Sequence, residues 1–107
     1  MRIRHGENDL VQLTGPADLA GYEETKPKRG RLIVGHSETG AHHTVVSSKA
    51  RLYRKIGHDI AILVLPESAP LEHEGGRHET VELPPGQYSI SVKRQYRPDG
   101  SWAPVAD

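Results

Sequence analysis

A chain of 107 residues with 14 Lys and Arg, 14 Asp and Glu, seven His, no Cys and no Phe describes a small domain of zero formal charge. Its length argues against a second independent core, since one domain usually takes about 100–200 residues, and the missing Cys excludes a disulfide framework, a thiolate metal site and a Cys nucleophile. Nine Leu, six Ile and eight Val make a thin apolar supply, but disorder also needs strong charge imbalance, so the chain is expected to fold and to gain from self-association.

The opening residues Met1-Arg2-Ile3-Arg4-His5-Gly6 lack the apolar stretch of a signal peptide, and no run is long enough to span a bilayer. This reads as a cytoplasmic chain with no membrane partner. A first strand is predicted over Asp9 to Leu13. Residues 16–21 follow as one helical turn, with Pro16 near its first position and Gly21 ending it. Glu23 to Gly30 reads as a charged, Pro-broken connection. Further strands are predicted at Arg31 to Val34, closed by Gly35, and at Thr44 to Ser48. Ala50 to Arg54 and Asp59 to Leu65 form a hairpin in which Gly57 supplies a positive φ. Ile60 to Leu65 is apolar on both parities, as a strand covered on both faces requires, and is the expected centre of the fold.

Glu79 to Leu83 alternates, and Leu83-Pro84-Pro85-Gly86-Gln87 has the pattern of a type II turn. From Gln87 to Tyr96, Tyr88, Ile90 and Val92 share one face, as in a half-buried antiparallel strand. Together these segments predict an all-β domain over residues 1–107, a small antiparallel sandwich or barrel of about seven short strands. Residues 97–107 are expected to dock as a C-terminal tail, with Trp102 and Tyr96 as interface residues.

The densest chemistry lies in Gly35-His36-Ser37-Glu38-Thr39-Gly40-Ala41-His42-His43 and in Glu72-His73-Glu74-Gly75-Gly76-Arg77-His78-Glu79. Imidazole and carboxylate are the ligands of Zn, Fe, Mn or Ni sites, so two such clusters at adjacent strand ends predict one divalent transition metal. The candidate ligands are His36, His42 or His43, and His78, with Glu38 or Glu74 as carboxylate partner. Because His42 and His43 are consecutive, an extended chain points them to opposite faces, and only one joins the site. The alternative is that these His cap strand ends or sit at a subunit contact. Cupins, small β-barrels with a His/Glu metal site, offer one comparison. Their first motif has two His separated by one residue and then a Glu, whereas here the pair is adjacent and no Glu follows until Glu67.

Ser37, Ser47 and Ser48 lie near His, but no Gly-x-Ser-x-Gly elbow is present. No catalytic residue is assigned. Basic residues fall in three groups, at Lys26 to Arg31, Arg51 to Lys55, and Lys93 to Arg97. Tyr53, Tyr96 and Trp102 lie near two of them, an interleaving suited to single-stranded nucleic acid. An equal number of acids disfavours that partner.

The order of segments resembles a family of small uncharacterised β-rich proteins of bacteria and their phages. It is carried by Arg4-His5-Gly6-Glu7, by Gly35-His36-Ser37-Glu38-Thr39-Gly40 followed by His, by a His leading into Leu83-Pro84-Pro85-Gly86-Gln87-Tyr88, and by Lys93-Arg94-Gln95-Tyr96-Arg97-Pro98. Two departures stand out: Ala41 occupies a place where another His is typical, and Glu74 to Arg77 look like an expanded His-Glu-Glu-His. The resemblance implies no known activity, and a phage setting implies host cytoplasm or virion. The expected role is non-enzymatic: assembly or binding, as a homo-oligomeric structural or accessory protein whose partner is itself or another protein. A His-site metal protein, enzymatic or not, is the alternative, and a single-strand nucleic-acid binder the second.

Overall fold

The computed structural model describes residues 2–5, 8–36, 42–73, 80–92, 94–96 and 102–104. Its strands run in chain order as β1 (Arg2–His5), β2 (Asn8–Gln12), β3 (Glu23–Thr25), β4 (Arg31–His36), β5 (His42–Val46), β6 (Arg51–Arg54), β7 (Ile60–Leu65), β8 (Ala69–His73), β9 (Val81–Leu83), β10 (Gly86–Val92), β11 (Arg94–Tyr96) and β12 (Trp102–Pro104). They form a six-stranded sheet in the order β1-β2-β10-β7-β6-β3, a four-stranded sheet in the order β4-β5-β8-β9, and the hairpin β11-β12. All pairings are antiparallel.

Alternation builds the core. In β8, Ala69, Leu71 and His73 are buried while Pro70 and Glu72 are only half-covered, the pattern of a strand packed on one face. Leu32, Val45, Leu71 and Leu83 of the smaller sheet join Leu10, Leu52, Leu63, Tyr88 and Ile90 of the larger in one buried cluster. Burial shared between two inner faces makes the domain a sandwich, and the sheets do not close into a barrel. β7 lies between β10 and β6 as expected of a central strand, with Leu63 fully buried inside and Ile62, on its other face, 7% exposed.

The chain changes sheet after β3, β5, β7 and β9. The first crossing is a two-residue turn in which Lys28 and Arg31 exchange backbone hydrogen bonds of 2.9 and 3.0 Å. Arg29 and Gly30 both take positive φ, at 54° and 75°, as a type I′ turn requires. Arg is strained there, whereas Asn tolerates the left-handed region. Arg29→Asn is therefore expected to stabilise the fold by about 0.5–1 kcal/mol, read as a higher thermal midpoint. The charged stretch 23–30 thus carries a strand and a turn as well as a connection. At the second crossing the Ser47 hydroxyl accepts the amides of Lys49 (3.1 Å) and Ala50 (3.2 Å).

Residues 16–21 form no helix. Asp18 Oδ1 accepts the Ala20 amide at 3.0 Å, and Tyr22 N–H donates to Leu19 O at 3.0 Å, with Gly21 at φ 81°. The Asp side chain competes with helix by bonding its own backbone, and Gly at that position closes a β-turn instead.

At the last crossing, after Pro84 and Pro85, Gly86 sits at φ 147°, and a Cβ there would lie 2.9 Å from Gln12 Nε2. Beyond it, the ring of Tyr88 is buried and its hydroxyl donates to Pro84 O at 2.6 Å, holding the corner against β10. Burial raises the Tyr88 pKa above the ordinary value. The unfolded chain therefore loses this proton first, and the stabilisation is complete below about pH 10 and lost as pH climbs through the folded value. Tyr88→Phe is expected to cost about 1 kcal/mol at neutral pH for the missing hydrogen bond. Between pH 9 and pH 11 its thermal midpoint should also fall less than that of the parent.

Candidate functional site

The smaller sheet gathers histidines at one end. Its register sets His36 opposite His42, and His43 opposite both Gly35 and His73. A bulge between Ile33 and Gly35 inserts the extra residue that brings His36, rather than Gly35, to His42. His43 and His73 point into the sandwich with their rings tilted at 58° and centroids 4.6 Å apart, within the usual range of ring pairs. His42 faces the other way and is half-buried. On that face Glu72 takes an ion pair of 3.0 Å from Arg31, reaching across β5.

The predicted ligand set is thus joined in part. The backbone brings His36, His42 and His43 together, while Glu38, Glu74 and His78 lie outside the described residues. His73 was not among the predicted ligands, although it is the residue that meets His43. Its parity with Ala69 and Leu71 was the available signal. Among the described residues no three His, Asp or Glu side chains converge closely enough to hold a metal ion.

A second feature lies at the open side of the sandwich, between the edge strands β3 and β4. A cleft of about 350 Å³ is lined there by four cations, Lys26, Lys28, Arg31 and Arg54, over Leu32, Ile33 and Leu52. The cations come from two of the basic groups seen in the sequence. They meet because β3 pairs with β6, and the tight turn after β3 then carries the chain into β4. Arg31 is engaged by Glu72, and Arg51, from the same basic group as Arg54, is held by Glu24 at 3.6 Å. Lys26, Lys28 and Arg54 make no ion pair among the described residues. Ile33 is 38% exposed on the rim.

Another cleft, at the tip of the β6–β7 hairpin, mixes Arg54 and Lys55 with Glu23 and Asp59, so its charges offset. Ile56 stands at that tip, 90% exposed. Of the predicted interface residues, Tyr96 and Trp102 are register partners in the β11–β12 hairpin.

Fold and site together define a small antiparallel β-sandwich with a cationic side cleft and a buried histidine pair. The chain belongs to a family of domains of unknown function, DUF8820, whose model matches residues 4–95 and so takes in both sheets and the cleft. No curated protein and no solved structure matches it. Among the described residues no helix is long and apolar enough to cross a membrane.

Proposed function

We propose that the domain works by binding, through the cleft between β3 and β4, and not by catalysis. The composition of the cleft carries this reading: four cations stand over an apolar floor, and among the described residues the lining adds only the Thr25 hydroxyl, with no carboxylate or imidazole beside it to activate a nucleophile. Three cations with no ion pair among the described residues suit a ligand bearing several negative charges. Titration with inorganic tripolyphosphate at low salt should shift the amide resonances of residues 26, 28–33 and 52–54. If those signals stay still, the cations only guard the sheet edges.

Assembly fits the same picture. Exposed Ile33, Ile56 and Ile60 on a domain with a thin core support contact with another protein or a second copy. The likeness of the segments to small bacterial and phage proteins supports an accessory or structural role, and with it a cytoplasmic or virion location. Light scattering at micromolar concentration tests self-assembly, and a strictly monomeric species removes it.

One observation favours a metal reading as well, the buried contact of His43 with His73. Two imidazoles on neighbouring strands supply the start of a Zn, Fe, Mn or Ni site. Elemental analysis of tag-free protein, repeated on His36→Ala and His78→Ala, tests it; a parent without stoichiometric metal ends it.

A further inference from the structure

Resting on the reading of the cleft as a polyanion site, we infer that Glu72 is the internal counter-ion its ligand must displace. The ligand takes Arg31 from Glu72, and the strength of that ion pair sets how tightly a polyanion binds.

Arg31 stands apart from the other three cations. It lines the cleft, yet its guanidinium donates to Glu72 Oε1 at 3.0 Å. Glu72 belongs to β8, which lies beyond β5 from β4, and it does not line the cleft. Two strand spacings come to about 10 Å, so the pair closes only because both side chains reach over β5. In this state the Arg31 charge is directed over the smaller sheet instead of into the cleft.

Such a pair can exchange. The Arg31 and Glu72 side chains are 43% and 38% exposed, and pairs this open to solvent are hydrated, screened and weak. The planar fork of Arg accepts phosphate oxygens two at a time, a stronger contact than one carboxylate oxygen provides. Lys26, Lys28 and Arg54, which make no ion pair among the described residues, hold the rest of the ligand and bring its charge within reach of Arg31. A lone carboxylate or chloride gains nothing by replacing Glu72, whereas a phosphate chain does. Glu72 therefore holds the cleft against weak anions and yields to polyphosphate.

The test is a titration with inorganic tripolyphosphate at low salt, followed by NMR, on the parent, Glu72→Gln, Arg31→Gln and the double variant. In the parent, the side-chain carboxyl carbon of Glu72, assigned by its loss in Glu72→Gln, should shift with the same midpoint as the amides of the cleft. Glu72→Gln should bind about three- to fivefold more tightly, the size expected from removing one partly exposed pair. In the Arg31→Gln background the same substitution should change affinity by less than about twofold, because Glu72 then has no Arg31 to hold. Glu67→Gln removes an acid that pairs with Lys49 at 3.6 Å outside the lining. It controls for net charge and should leave affinity within about twofold of the parent. Thermal midpoints within a few degrees of the parent confirm that the variants fold.

Cleft amides that shift while the Glu72 carboxyl stays still show a ligand bound without Arg31, and overturn the exchange. An equal gain from Glu72→Gln with and without Arg31, or from Glu67→Gln, overturns it too and leaves Glu72 a nearby charge. If neither the amides nor the carboxyl respond in the parent, the reading of the cleft as a binding site falls, and the exchange with it.

Discussion

Leu63→Ala is expected to lose about 3–5 kcal/mol of folding stability, a large share of what a small domain has. Leu63 is fully buried on the central strand and pairs with Tyr88 on one side and Leu52 on the other. Truncation there removes apolar contact and leaves a cavity that rigid flanking strands cannot close, which places the cost toward the upper end for Leu→Ala. The total to be lost is small, since domains are stable by only about 5–15 kcal/mol. Urea unfolding followed by circular dichroism measures it. A loss below about 1 kcal/mol would show that the sheets relax around the gap, contrary to a jigsaw-packed core. Ile56→Ala at the exposed hairpin tip serves as the contrast and should lie within about 0.5 kcal/mol of the parent.

The second large effect is expected at the histidine pair. His43→Ala and His73→Ala should each cost about 2–3 kcal/mol, because each empties a buried position between two strands. The double variant should cost less than the two single losses added together. The ring contact at 4.6 Å is made once and can be lost only once, so a coupling of about 0.5–1.5 kcal/mol is expected from the cycle. Additive losses would mean that the rings merely neighbour one another. Repeating the parent measurement with a chelator separates packing from metal, since a metal bound only to the folded state adds stability that chelation removes.

Much of the architecture was legible in the local pattern. The apolar run of residues 60–65 marked the central strand, the alternation of Tyr88 and Ile90 marked its neighbour, and Gly57 marked the hairpin between β6 and β7. These signals survive without tertiary information because a buried strand imposes its period directly on side-chain type. The helical turn at residues 16–21 failed for a local reason, the Asp18 side chain bonding its own backbone. β3 and β8 were hidden for longer-range reasons. β3 is Glu23-Glu24-Thr25, exposed throughout, and owes its strand form to pairing with β6 and to the hold of Glu24 on Arg51 and Tyr53. β8 opens with Ala69-Pro70 and closes in an acidic segment, so its three inward residues are too few to announce a period.

The amino-acid pattern alone determined the all-β class, the central strand, the cysteine-free chemistry and the two histidine-bearing segments. Only the tertiary structure decided which residues from those segments meet. Register set His43 against His73, and a one-residue bulge brought His36 to His42. Strand order set Lys26, Lys28 and Arg31 beside Arg54, 23 to 28 residues further along the chain. Side-chain type and period are local, whereas register, bulges and strand order follow from which edges satisfy each other's backbone hydrogen bonds across the whole sheet.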